Sequence, residues 1–77
     1  MLGIINYIKD NEFRINIYEN KLNIVNYMDL LLMEENKIII KSSLGIVTIN
    51  GNNLIVKKLL NKELLIIGQV NKLEIGD

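Results

Sequence analysis

The sequence contains no cysteine, histidine, proline, tryptophan or alanine, and its single arginine is Arg14. Without cysteine and histidine there are no disulfides, thiolate zinc sites, cysteine nucleophiles, imidazole bases or histidine-ligated metals. Net charge is also missing: nine basic and nine acidic residues are well mixed along the chain. No basic patch is set up for a phosphate backbone, and only Tyr7, Phe13, Tyr18 and Tyr27 offer rings for stacking bases. Nucleic acid is therefore not an expected partner.

Long apolar runs are absent as well. The longest aliphatic stretches, Leu30 to Met33 and Leu64 to Ile67, fall far short of the ~20 residues that span a bilayer. The opening "MLGIINYIKDNE" has no basic residues ahead of its apolar part, and Asn6 interrupts that part, so no signal peptide is expected. Gly3 is not the second residue, so myristoylation is not indicated. These features predict a soluble, cytoplasmic protein that does not itself span a membrane.

What remains is an apolar chain of 77 residues, 49% hydrophobic and rich in Ile, Leu, Asn and Lys. Such a length supports one domain, and a domain of this size buries only about 60% of its unfolded surface. The Asn and Lys richness is what an AT-rich genome would produce, and the Asn content is discounted for that reason.

From Phe13 onward the pattern is that of β-strands. Short runs of Ile, Val, Leu and Tyr are separated by Asn, Glu, Gly and Lys, and helical spacing is not sustained. "FRINIY" alternates cleanly. A two-residue loop at Glu19-Asn20 pairs Ile17 with Leu22 and Ile15 with Ile24, which brings the apolar faces together. A loop at Glu35-Asn36 sets Glu34 opposite Lys37, Met33 opposite Ile38 and Leu31 opposite Ile40. In "TINGNNLIV", a turn within Asn50 to Asn53 would pair Ile49 with Leu54 and Val47 with Val56, giving one wholly apolar face. A break at Asn61-Lys62-Glu63 follows. "LLIIGQV" and "KLEI" then form one long bulged strand or a last hairpin, with Gly68 as the bulge or bend. Residues 1–12 read equally as a short helix, with Leu2, Ile5 and Ile8 three apart, or as a frayed strand. Residues 13–77 read as a single all-β domain of seven or eight short, mainly antiparallel strands in a small sandwich, roll or barrel. Leu22, Leu30, Ile38, Ile46 and Leu54 are spaced eight apart, as a meander of hairpins requires, although a short β-solenoid would give the same step.

"LLLM", "III", "LIV" and "LLII" are apolar at consecutive positions, and hence on both faces of their strands. Two readings stand: a two-layer core with some exposed aliphatics, or a face or edge covered by another chain, through self-association or a partner protein. Leu32, Ile39 and Ile55 fall opposite the matched core positions and are the candidate contact residues. Catalytic candidates are poor. Glu34 and Glu35 are neighbours and would point apart, and Ser42-Ser43 has no histidine to activate it. No phosphate-loop motif surrounds Gly45 or Gly51. No catalytic, metal or cofactor site is expected.

The stretch "NIVNYMDLLLMEENKIIIKSSLGIVTINGNNLIVKKLLNKELLIIGQVNKLEI" resembles the YabP/YqfC family of small bacterial sporulation proteins. The resemblance covers roughly Arg14 to the C-terminus. It rests on an apolar strand at Leu30–Met33, the "IIIK" strand, the Leu44-Gly45 connection, the "I-x-G-x-x-L" step from Ile49 to Leu54, the Lys62-Glu63 break and the strand ending at Gly68. By length it is closer to the YqfC-like branch. The resemblance implies a non-enzymatic protein of the mother cell, acting in spore envelope assembly as an interaction module. Its partners would be further copies of itself or a membrane protein of the sporulation programme, with a place at the forespore envelope. The alternative from composition and pattern is a small β-barrel that binds nucleic acid or a small ligand, unrelated to sporulation.

Overall fold

A computed structural model describes residues 12–76. Apart from Glu12, the expected N-terminal helix or strand lies outside the described residues. Six strands follow in chain order: β1 (Arg14–Ile17), β2 (Lys21–Val25), β3 (Asp29–Met33), β4 (Lys37–Ser42), β5 (Gly45–Leu59) and β6 (Glu63–Gly76). They form one antiparallel sheet in the order β1-β2-β6-β5-β4-β3. Its outermost strands do not pair with each other, so among the described residues the sheet is open and not a closed barrel.

Six strands stand where seven or eight were expected, because the expected turn does not interrupt the chain and, of the two readings of the last segment, the one long bulged strand is formed. Asn50 to Asn53 is no turn. It lies inside the 15-residue β5, and "LLIIGQV" and "KLEI" fuse into the 14-residue β6. The registers of Ile49 with Leu54 and Val47 with Val56 are accordingly not formed. Ile49 faces Ile38 and Leu73, and Val47 faces Ile40 and Ile75. A tight turn would have matched two apolar pairs. The through-running strand matches apolar residues on both flanks and adds ladder bonds along its whole length. The chain is also more than a meander. β3 to β6 follow one another, but β6 returns to lie between β2 and β5.

The β5–β6 ribbon carries two leaves. β2 pairs with the first part of β6, from Glu63 to Ile67, and β4 pairs with the first part of β5, from Gly45 to Asn50. Between these segments both long strands slip register, at Asn50/Gly51 and at Asn52/Ile55, and there the sheet folds over. Asn53 takes a left-handed φ of 54°, and Gly68 takes φ 130°. The fold-over puts alternate residues of the two leaves into one core: Leu22, Ile24, Leu64 and Ile66 from one, Ile38, Ile40, Val47 and Ile49 from the other, closed by Phe13 and Leu54. Each of these aliphatic side chains contributes roughly 1.5–3 kcal/mol by leaving water.

The outer hairpins follow the expected registers closely. Ile17 pairs with Leu22 and Ile15 with Ile24. At the β3–β4 turn, Glu34 N donates to Lys37 O (2.8 Å) and Met33 lies opposite Ile38. One register moves: a bulge between Leu30 and Leu32 places Leu30, not Leu31, opposite Ile40. The bulge lets Leu30 pack on the core while Leu31 turns out to solvent. Both hairpin tips dock at the bend. Gly51 N and Leu54 N donate to Asn36 O (3.1 Å) and Glu35 O (2.8 Å), and Gly68 N donates to Asn20 O (3.4 Å).

The bend depends on two glycines. A Cβ on Gly51 would sit 2.1 Å from Gln69 O, and one on Gly68 would sit 2.6 Å from Asn53 O, where φ is already left-handed. Gly51→Ala and Gly68→Ala are each expected to cost roughly 2–4 kcal/mol in urea unfolding. Gly76→Ala, whose Cβ would meet nothing within 4 Å, should stay within about 0.5 kcal/mol. Equal stability of all three variants would show that the bend tolerates a side chain.

Candidate interaction surface

With one face of each leaf spent on the core, the alternate residues form two outer surfaces. On the β3–β4 leaf, Leu32, Ile39, Thr48 and Glu74 lie in one row across four strands. Leu32 and Ile39 are half-buried and adjacent. The next row, Lys37, Asn50 and Lys72, is polar, and Lys41 follows Ile39 on the other side. The surface thus has an apolar centre with a charged rim. Lys72 Nζ lies 3.5 Å from Glu74 Oε2, an exposed pair worth little to stability.

Ile55 lies elsewhere. It is 56% exposed, pairs with Ile67 and belongs to the outer surface of the other leaf. The structure therefore brings together two of the three candidate contact residues and separates the third from them. The fold-over between Asn50 and Ile55 is the cause, since it turns one strand's outward residues onto opposite surfaces.

The surface beside Ile55 also carries a polar ladder. Asn16 Nδ2 donates to Asn23 Oδ1 (3.1 Å), and Asn23 Nδ2 donates to Glu63 Oε2 (2.8 Å) and to Leu64 O (3.2 Å). This ties β1, β2 and β6 together. The hairpin register that pairs Ile17 with Leu22 also pairs Asn16 with Asn23, so the signal was present in the sequence. Asparagine has a second use. Asn26, Asn53 and Asn61 take left-handed φ values of 65°, 54° and 61°, a region asparagine enters more readily than most residues. The asparagine content discounted as genome bias is thus partly structural.

Glu34 and Glu35 are exposed at the β3–β4 turn. Ser42 is only 5% exposed; its hydroxyl donates to Gly45 O (2.9 Å) and accepts from Leu44 N (3.2 Å), which shapes the β4–β5 turn. Among the described residues no group of three potential metal-ligating side chains comes together. Between the leaves, Ile17, Tyr18, Leu22, Gly68, Val70 and Leu73 line an open groove. Among the described residues no helix is long and apolar enough to cross a membrane.

No curated protein and no solved structure matches the sequence. The model of the YabP family matches residues 9–77, through all six strands and the glycine-centred bend, and the chain belongs to that family.

Proposed function

We propose that the protein is a sporulation-associated assembly module that acts by burying the Leu32–Ile39 surface against another chain. Family membership supports the link to sporulation. The observation that carries the assembly reading is the adjacent pair Leu32 and Ile39, at the centre of a polar-rimmed sheet face that the chain's own core does not use. The protein would work in the mother cell cytoplasm, at the forespore envelope, and not as an enzyme. Its partner would be a second copy or a membrane protein of the same programme.

Burial of this face fits β3 better than strand addition along its edge. The Leu30 amide already donates to Asp29 Oδ1 (2.9 Å), and the bulge at Leu31 interrupts the edge. Both features make a strand a poor template for another chain.

Two measurements test the reading. Transcript of this gene, followed from growth through starvation and sporulation, should rise sharply at engulfment in the mother cell; a flat, constitutive profile would remove the sporulation role. Ile39→Asp should keep the circular dichroism of the parent yet lose roughly 2 kcal/mol of association, about thirtyfold. Association is read by sedimentation of the protein alone and by co-purification from sporulating cells. Full association of folded Ile39→Asp and Leu32→Lys variants would show that the interface lies elsewhere, and the same loss in Ile55→Asp would move it to the other leaf.

A further inference from the structure

The β5–β6 turn projects the most exposed large apolar side chain among the described residues. Leu60 is 83% exposed at the tip, and Leu59 beside it is also exposed. Three lysines, Lys57, Lys58 and Lys62, lie within the same hairpin end. The turn is well held. Asn61 and Lys62 take left-handed φ values of 61° and 57°, and Asn26 N donates to Lys62 O (2.8 Å). The Lys62 ammonium lies 5.6 Å from the centre of the Tyr27 ring and 3.5 Å from Met28 O. The exposed Met28 thus borders the tip, and its amide donates to Lys41 O (2.8 Å), which ties this end to β4.

No acidic residue lies between Lys57 and Lys62, and Asp29 stands opposite Lys41 across the β3–β4 pair. Glu63 Oε2 accepts from Asn23 and Asp29 Oδ1 from Leu30 N, while Glu12 lies beside Asn26. Glu19, Glu34 and Glu35 sit on the turns that dock at the bend, away from the tip. A chain of zero net charge thus carries a lysine-flanked apolar prong at one end.

We infer that this end, with Leu59, Leu60 and Met28 as the inserting side chains and Lys57, Lys58 and Lys62 around them, docks on an anionic lipid surface. Three apolar side chains on a convex tip offer far less area than the roughly 1,000 Å² of a stable protein interface. They suit the headgroup boundary of a bilayer, which accepts leucine and methionine by insertion while lysines reach outward to phosphate. The surface is separate from the Leu32–Ile39 face, so the inference stands independently of the assembly reading.

The test uses the full chain and sedimentation with vesicles of phosphatidylcholine, with and without phosphatidylglycerol. Binding is expected only to the anionic vesicles and should weaken as salt rises. Lys57→Gln and Lys58→Gln should each weaken it about fivefold. Leu60→Ser, at a position too exposed to affect folding, should weaken it about tenfold. Ile17→Ser, an exposed apolar residue near the other end of β1, should leave it unchanged. Because the chain has no tryptophan, Leu60→Trp supplies a single reporter, and its emission should shift to the blue on anionic vesicles. Absence of binding to anionic vesicles, equal binding to neutral ones, an unshifted Leu60→Trp emission, or losses as large in Ile17→Ser as in Leu60→Ser would each overturn the proposal.

Discussion

The close crossing of β5 and β6 at Gly51 and Gly68 is the constraint on which the rest of the structure depends. There the Gln69 and Asn53 carbonyls occupy the space where Cβ atoms would otherwise stand. That approach lets two long paired strands fold over without separating. The consequence is mechanical. A flat six-stranded sheet would expose every apolar residue on one side, whereas the folded sheet buries Ile38, Ile40, Val47 and Ile49 against Leu22, Ile24, Leu64 and Ile66. The hairpin tips reinforce the bend from both sides, with Asn36 and Glu35 carbonyls on β5 and the Asn20 carbonyl on β6. A chain of this length has little surface to bury, and the fold-over makes one sheet supply both layers of its own core.

The same bend distributes what is left for function. Strands with apolar residues at consecutive positions give one alternate set to the core and must display the other. Leu32 and Ile39 appear together on one outer surface, while Ile55 and Ile67 appear on the other. The ribbon's far end, where neither leaf covers the turn, displays Leu59 and Leu60. The protein thus displays apolar side chains at three distinct places, each produced by one strand pair.

The β1–β2 register was legible from alternation, because a one-residue slip would turn a buried face to water, and the β3–β4 turn was legible from the Glu34–Lys37 match. The break before Glu63 and the irregularity at Gly68 were equally legible, the first from its polar residues and the second from a glycine inside an apolar run. Leu31 was misplaced by one position, since a bulge has no signature in a run of three identical leucines. Asn50-Gly51-Asn52-Asn53 was misread for a related reason. Four polar residues flanked by matching apolar pairs read locally as a hairpin, and twelve paired positions between β5 and β6 outweigh that match, but those pairs exist only once the two strands meet. The Leu59-Leu60 tip was visible as "KKLLNK", yet its exposure depended on which leaf would cover it.

By itself the sequence determined the class of the fold, the pairing of the edge hairpins and the absence of histidine and cysteine chemistry. Those follow from residue type and period-two spacing, which act within a few residues of one another. It also carried the pattern by which the YabP family model matches residues 9–77. The tertiary structure alone decided that four strand-like runs are two, that a turn signal is a bend, and that one apolar set faces inward while its neighbours face out on opposite surfaces. These depend on contacts between residues far apart in the chain, as when the Gln69 carbonyl fills the space beside Gly51.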